Sequence, residues 1–482
     1  MTLVVVAEWR PDSSGLNAQW VSELTNVLPV AEGVIPFKAL KEITEALAAR
    51  PLGGIAVRDS SGGVHVLVGT TDKLWKLNNS TLVWADVSKA MTTYTATENE
   101  PWRAKVYGNS VVFVNINDDA QEYVVGSSTL FADLAGSPPR ARHIAVFNDM
   151  LGLASDDTLY WSDTDDIENW TPGGASNAGS QTFPDGGIIQ GMTDSTNPFI
   201  FQRNAIRQAT FQPGSAEIFT FVKLTDGRGC AAPYSICSRG DITFFADTGG
   251  FFQITPEGIE PIGYEKLDRT IFAALPSTQL ARIFGAVDPI HTRVYFALNI
   301  SGSPSAYDRL LIYDWNLKRW SMARFACELP IPLLSGMGGV SLDDLTDNID
   351  TFGRSFDDKA FQAGAPFMAC FDSSFRLGSF QGQNLEAKIT VREAGDTAKT
   401  VMWIDNVRPI VDAAQCYMNS GKRMSLGKPV EWEPEVAINQ ETGLFDVLIE
   451  TRFAQFQFRI PSGEVWTLFQ GADIAESAAG ER

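Results

Sequence analysis

Histidine and cysteine are scarce: three and five residues in a chain of 482. Cys230, Cys237, Cys327, Cys370 and Cys416 are scattered, and no Cys-x-x-Cys occurs. This spacing suggests neither a zinc site nor a disulfide framework, so buried or ordinary free thiols matured in a reducing cytosol are expected. His65, His143 and His291 have no second His or Cys at ligand spacing, which leaves them packed or surface residues. Gly-x-Ser-x-Gly, His-Glu-x-x-His, the Walker loop and Gly-x-Gly-x-x-Gly are all missing. No apolar run reaches 18 residues, so no transmembrane helix or membrane anchor is expected. The first nine residues, Met1 to Trp9, lack the basic flank of a secretory signal and read as an edge or closing strand. Positive charge is also short: 38 Lys and Arg face 58 Asp and Glu, a net charge of −20. A conventional nucleic-acid binder needs the opposite balance to displace counterions. An acidic channel, by contrast, repels phosphates and keeps passing DNA from sticking.

What is plentiful is hydrophobic (44%), rich in Gly (41), Phe (30) and Trp (12). The mixture suits many short strands joined by glycine turns and packed through aromatics. The pattern is clearest at Tyr160-Trp161-Ser162-Asp163-Thr164-Asp165-Asp166-Ile167-Glu168-Asn169-Trp170-Thr171. Two tryptophans bracket an acidic turn there. Upstream, Asn148-Asp149 and Asp156-Asp157 punctuate short apolar runs, giving the size and rhythm of one propeller blade. From residue 53 the rhythm recurs with a loose period of about 35–50 residues. Six units are counted, starting near residues 54, 102, 145, 187, 234 and 283. A seventh is open around residues 367–371 and 376–380. The predicted fold is all-β: a β-propeller of about six blades, plus a C-terminal antiparallel β domain.

Five segments follow. Residues 1–50 read as an extended arm, broken by Pro29 and Pro36, with a short amphipathic helical turn at Leu40, Ile43, Ala46 and Leu47. Residues 51–330 are the propeller. Residues 331–383 are an excursion and a candidate last blade, with Leu342, Leu345 and Ile349 on one face of a short helix. Residues 384–474 alternate apolar and polar in longer strands, as a half-buried sheet requires. Residues 475–482 are a polar, flexible tail.

No catalytic, cofactor-binding or metal-ligating residue is nominated. Asp163, Asp165, Asp166 and Glu168 lack the glycine and distal glutamate of a calcium loop and read as a solvated turn between strands. The same stretch resembles the structural aspartate boxes of sialidase propellers. Nothing in the sequence shows the arginines that such a site would gather (Arg140, Arg142, Arg203, Arg207, Arg228, Arg239) to converge. Among 58 acids some pair is always available for glycoside cleavage, so that signal is nearly void. Arg239-Gly240-Asp241 falls in a predicted hairpin turn, where Gly-Asp is expected anyway. Asn78-Asn79-Ser80, Asn169-Trp170-Thr171 and Asn299-Ile300-Ser301 match glycosylation acceptors, with no other sign of secretion.

Several stretches together carry a resemblance: Tyr160-Trp161-Ser162-Asp163 with Ile167-Glu168-Asn169-Trp170-Thr171, Asp185-Gly186-Gly187-Ile188-Ile189, Asn26-Val27-Leu28-Pro29, Ser341-Leu342-Asp343-Asp344-Leu345 and Arg376-Leu377-Gly378-Ser379-Phe380-Gln381-Gly382-Gln383-Asn384-Leu385-Glu386-Ala387. Diffusely over nearly the whole chain, it resembles the tail-nozzle, or packaged-DNA-stabilisation, hub proteins of short-tailed bacteriophages. The resemblance implies a structural, non-enzymatic virion protein in the phage tail, assembled in the host cytoplasm. It implies a homohexameric ring below the portal and adaptor rings, neighbouring tail fibres or tailspikes, and a central conduit for double-stranded DNA, with no cofactor. Six copies at −20 each carry −120. Trp9, Trp20, Trp403 and Trp432 are candidate ring seams. The alternative is a propeller tail protein that binds or cleaves glycans.

Overall fold

Two-residue hairpin turns set the first level of order. Asn148 and Asp149 take φ of 49° and 56°, the left-handed pair that a tight hairpin needs, and Phe147 pairs with Met150 across them. Gly108 and Gly240, with φ of 57° and 58°, open the turns that pair Tyr107 with Ser110 and Arg239 with Ile242. In this computed structural model the described residues are 2–13, 20–21, 23–60, 62–174, 176–215, 217–302, 306–334, 366–395 and 400–481.

The hairpins join into four-stranded antiparallel blades. Blade 1 is Gly53–Arg58, Val64–Gly69, Leu74–Leu77 and Trp84–Asp86. Blade 2 is Arg103–Tyr107, Ser110–Val114, Gln121–Val124 and Ala132–Asp133. Blade 3 is His143–Phe147, Met150–Ser155, Thr158–Trp161 and Gly179–Thr182. Blade 4 is Ile189–Met192, Phe199–Gln202, Ala205–Phe211 and Phe219–Asp226. Blade 5 is Ala232–Arg239, Ile242–Asp247, Gly250–Thr255 and Gly258–Pro261. Blade 6 is Phe284–Val287, Arg293–Leu298, Arg309–Asp314 and Arg319–Ala323. Blade 7 takes Pro330–Leu334, Pro366–Phe371 and Leu377–Ser379, then borrows Lys41–Glu42 from the other end of the chain. Each inner strand touches the next in cyclic order, and that of blade 7 touches that of blade 1. The molecule is therefore a closed seven-bladed propeller: the six units counted in the sequence, plus the candidate seventh around residues 367–371 and 376–380.

Packing explains why the middle strands are apolar on both faces. Val111 and Phe113 of blade 2 pack with Leu67 and Trp102 towards blade 1. Val112 and Val114 of the same strand pack with Ile144 and Leu153 towards blade 3. Similar clusters fill every other gap in the circle.

The termini are woven together instead of trailing. Val27–Val30, Gly33–Pro36, Phe469–Glu481, Thr400–Val411 and Phe445–Thr451 form one sheet, with Thr2–Val5 beside Phe469–Glu481. A second sheet starts as blade 6 and runs on through Leu24–Thr25, Ala387–Thr390, Phe453–Ile460 and Tyr417–Arg423 to Glu431–Trp432, eleven strands in all. Several expectations are corrected here. Residues 1–50 are not a separate arm but supply strands to both C-terminal sheets and to blade 7. The helical turn expected near Leu40 is instead strand Lys41–Glu42, because its hydrogen bonds go to Leu377–Ser379. The tail expected to be flexible from 475 stays in strand to Glu481, paired with Thr400–Val411. The helix expected at Leu342 lies outside the described residues. One helix, α1 (Asp268–Ala274), was not foreseen.

Asn26 is the clasp of this weave. Its φ is 58°, a region that asparagine enters more readily than most residues. Its Nδ2 donates to Glu386 O at 2.7 Å, and its Oδ1 accepts from Arg324 N at 2.7 Å. One side chain thus ties blade 6 to the C-terminal sheet. Asn26→Ala should lower unfolding free energy by about 3 kcal/mol, through two stranded backbone groups and the left-handed backbone. Asn26→Gly should lose less, because glycine keeps the conformation. Urea unfolding of the three proteins checks the order.

Candidate functional site

The inner strands converge on the axis, and small residues let them. A Cβ placed on Gly285 of blade 6 would stand 2.2 Å from Ser235 O of blade 5. One placed on Gly191 of blade 4 would meet Ile236 Cδ1 at 2.6 Å. What fills the centre is a cation. Arg103 begins the inner strand of blade 2, and its Nη2 crosses to donate to Pro233 O of blade 5 at 3.0 Å. The guanidinium lies 4.5 Å from the ring centroid of Tyr234 and 6.0 Å from that of Phe284. Tyr234 is fixed by donating its hydroxyl to Asn99 O at 2.9 Å. His143, 5% exposed, has its ring centroid 6.4 Å from that of Tyr234. Beside this group lies a cavity of about 140 Å³, also bordered by Gly53, Lys105, Ile144 and Met192.

Electrostatics at the hub follow from burial. Burial pulls the Arg103 guanidinium below its ordinary value. Burial, then the positive charges of Arg103 and Arg142, holds His143 well below the usual imidazole range, so the ring is neutral. None of the residues lining the cavity is a carboxylate. The acids near the axis are already engaged. Glu98 pairs with Arg50 and, at 2.9 Å, with Arg282; Glu328 pairs with Arg50 at 2.6 Å; Glu100 pairs with Arg142 at 3.0 Å.

The residues weighed from sequence are placed elsewhere. Asp163 accepts from Asn177 N at 2.7 Å, Thr164 N at 2.9 Å and Asn169 Nδ2 at 3.2 Å. These donors, Asn177 first, hold its carboxyl below the usual range. It ties together the connection between the third and fourth strands of blade 3. Trp161 and Trp170 donate to Asn177 O and Ile167 O, both at 2.8 Å. Asp166 caps Glu168 N at 3.0 Å. Among the described residues no three His, Cys, Asp or Glu side chains gather as metal ligands would. The arginines are dispersed. Arg140 meets Asp119 at 2.8 Å, Arg207 meets Asp185, and Arg228 covers Phe252. Arg239 donates to His291 O at 2.6 Å and Asp288 O at 3.0 Å, which absorbs the Arg-Gly-Asp turn into the contact between blades 5 and 6. His65 meets Asp59 at 2.8 Å, and His291 meets Asp288 at 3.2 Å. Arg103 was not singled out from sequence. Its signal was an arginine directly after Trp102 at the head of an inner strand.

A larger cleft, about 730 Å³, lies between the N-terminal segment and α1. Arg10 covers Trp20 there at 3.7 Å, and Asp12 accepts from Arg269 N at 2.8 Å and Thr270 N at 2.7 Å. Asp268 points back into the fold. Cβ atoms on Gly250 and Gly263 would stand 2.3 and 1.9 Å from its carboxylate oxygens, so two glycines make room for it. Burial raises this carboxyl to about 7, against one weak donor, Phe251 N, at 3.3 Å.

No protein-family model matches the chain, and no curated protein does. Among solved structures it is similar to an extracellular domain assigned to a hybrid two-component system, BT4673, of B. thetaiotaomicron. The TM-score is 0.42 and the identity 10%, covering 78% of this chain and 43% of that one. It is similar to the Neurospora crassa Pan2 WD40 domain (TM-score 0.38, 9% identity, 69% and 90% coverage) and to a chain of a mitotic checkpoint complex (0.40, 11%, 73% and 96%). The chain spans less than half the length of the first of these. At such identities the likeness concerns fold alone, and the blade count rests on the sheets themselves.

Two outcomes test this geometry. Gly285→Ala should destabilise the protein by about 2 kcal/mol or more, since the clash is with backbone that cannot rotate away. Gly240→Ala, at an open turn tip, should cost only about 1 kcal/mol. For Asp268, the folded chain keeps a proton that the unfolded chain releases near its ordinary pKa of ~3.9. Its stabilising share is therefore full below about pH 4 and is lost as pH rises towards about 7. The stability difference between wild type and Asp268→Asn should move by on the order of 3 kcal/mol against wild type across that interval. Denaturant unfolding at several pH values measures it.

Proposed function

We propose that this chain is a structural virion protein, a tail nozzle whose copies form a ring below the portal and adaptor, retain packaged DNA and conduct it during ejection. The observation that carries the reading is the eleven-stranded sheet. It makes blade 6 and the C-terminal domain one hydrogen-bonded body, built to keep a shape under load and not to open and close around a substrate. The filled axis agrees with this. A duplex has no path through a hub crossed by Arg103, so a conduit belongs between copies, where the acidic surface would repel phosphates.

Two strand edges are available for such contacts. The outer strand of blade 4, Phe219–Asp226, is eight residues long, with Val222 52% and Leu224 43% exposed. Phe445–Thr451 edges its own sheet, with Leu448 72% exposed. Long uncovered apolar edges invite pairing with another chain. Of the four tryptophans considered as seams, Trp432 is exposed, Trp403 is half-buried, Trp20 lies under Arg10 and Trp9 is core. The glycan-cleaving alternative wants paired acids at the axis, and the lining of the hub cavity has none.

Negative-stain imaging and native mass measurement of the full chain test the reading, alone and with the virion's adaptor protein. Closed rings are expected in at least one condition. Val222→Lys should shift the protein towards smaller species while leaving monomer stability within about 0.5 kcal/mol. Monomers in both conditions, together with turnover of a glycan panel, would overturn it.

A further inference from the structure

The hub holds a charge without an answer. Lys105 at the cavity wall is neutralised by Asp194, which also accepts from Val146 N at 2.9 Å. Arg103 has no carboxylate partner among the described residues; its one hydrogen bond goes to a backbone carbonyl. Its Nε is buried and donates to nothing. His143 borders the same cavity, is 5% exposed, and has no hydrogen-bond partner for its ring among the described residues. Tyr234 and Phe284 offer ring faces to the guanidinium, which offset only part of its desolvation. Arg103 is half-buried with its Nε fully enclosed, and a charge so far withdrawn from water is normally paired. The chain as a whole is at −20, so a pocket walled by Arg, Lys and His without an acid is a local inversion of its chemistry.

We propose that the hub cavity is a binding site for a small inorganic oxyanion of the phosphate class, held by Arg103, with the His143 ring as a further donor. The volume suits this ligand. A single water requires ~10–15 Å³ of cavity and the hub offers about 140 Å³, so an oxyanion fits with some of its hydration. A nucleic-acid backbone does not, because its phosphates arrive attached to sugars on both sides. Nη2 already donates to Pro233 O, so the anion takes a remaining guanidinium N–H as a charge-assisted donor. The bound anion would then join blades 2, 3 and 5 at their point of closest approach.

The test is a thermal-stability titration of the full chain with sodium phosphate at constant ionic strength, balanced with sodium chloride. Wild type should show a saturable rise in Tm, as linkage to a native-state ligand demands. Arg103→Met should lose the saturable part and keep only the common salt response. A short DNA duplex should give no such rise; a rise with duplex and none with phosphate overturns the proposal. Because Arg103→Met removes a central contact and can misfold, crystals of wild type grown with selenate supply an independent arm. An anomalous peak within hydrogen-bonding distance of Arg103 is expected. A hub that holds only water in selenate, or a phosphate response equal in wild type and Arg103→Met, sinks the assignment.

Discussion

Everything in this molecule depends on closing the circle. Seven wedges lose their exposed faces only if the first meets the last, and sheets left open would expose the apolar faces of blades 1 and 7. The clasp is small. Lys41 and Glu42 pair with Ser379 and Gly378. Ile43 N donates to Leu377 O at 2.7 Å, Leu377 N to Thr44 Oγ1 at 3.1 Å, and Leu47 N to Phe375 O at 3.0 Å. Joining segments more than 300 residues apart carries an entropy penalty that grows only slowly with length. The reward is a whole interface: Leu47, Val66, Val68, Trp84, Ile331 and Phe371 bury one another between blades 7 and 1.

That clasp dictates where the rest of the N-terminal segment can go. With residues 41–47 held at blade 7, the chain before them must pass beside blade 6. Leu24–Thr25 slots in parallel to Arg319–Ala323 and antiparallel to Ala387–Thr390. The eleven-stranded sheet is thus a consequence of closure and not a separate invention. Inside the C-terminal part, Arg423 and Glu393 form a buried, doubly hydrogen-bonded pair beside the strand that sheet runs through. Losing either partner alone would leave an uncompensated buried charge.

The sequence was legible where structure is local. Asn148-Asp149, Gly108-Asn109 and Gly240-Asp241 carry their own turn chemistry, so the hairpins of blades 1 to 6 were readable and most strand bounds fell within a residue or two; the last strand of blade 3, Gly179–Thr182, was not read, and that of blade 4 runs four residues beyond Val222. Blade 7 was less so, because Lys41–Glu42 is two charged residues with no alternation, and its partner is remote. The N-terminal strands were readable as extended, through Pro29 and Pro36, while their pairing was not, since long-range registers leave no mark nearby. The missed α1 did leave one: Leu267, Ile271 and Leu275 recur every four residues, and all three are buried. The hub was illegible for another reason. Arg103 sits in a strand pattern where one charge reads as solvent-facing, and only the convergence of seven strands turns that position inward.

Closure also separates the molecule's two electrostatic regimes. Inner strands approach closely at the axis, and Arg103, His143 and Tyr234 are among the side chains gathered there. Acids near the axis are engaged by Arg50, Arg142 and Arg282. Exposed charge elsewhere on the molecule is well solvated and screened by salt beyond roughly 8–10 Å. An anion small enough to enter the hub would meet the Arg103 guanidinium. A polyanion that cannot enter meets only the acidic exterior. The same fold can thus hold a small anion and repel a long one, and the discriminating variable is size, set by the seven-strand constriction.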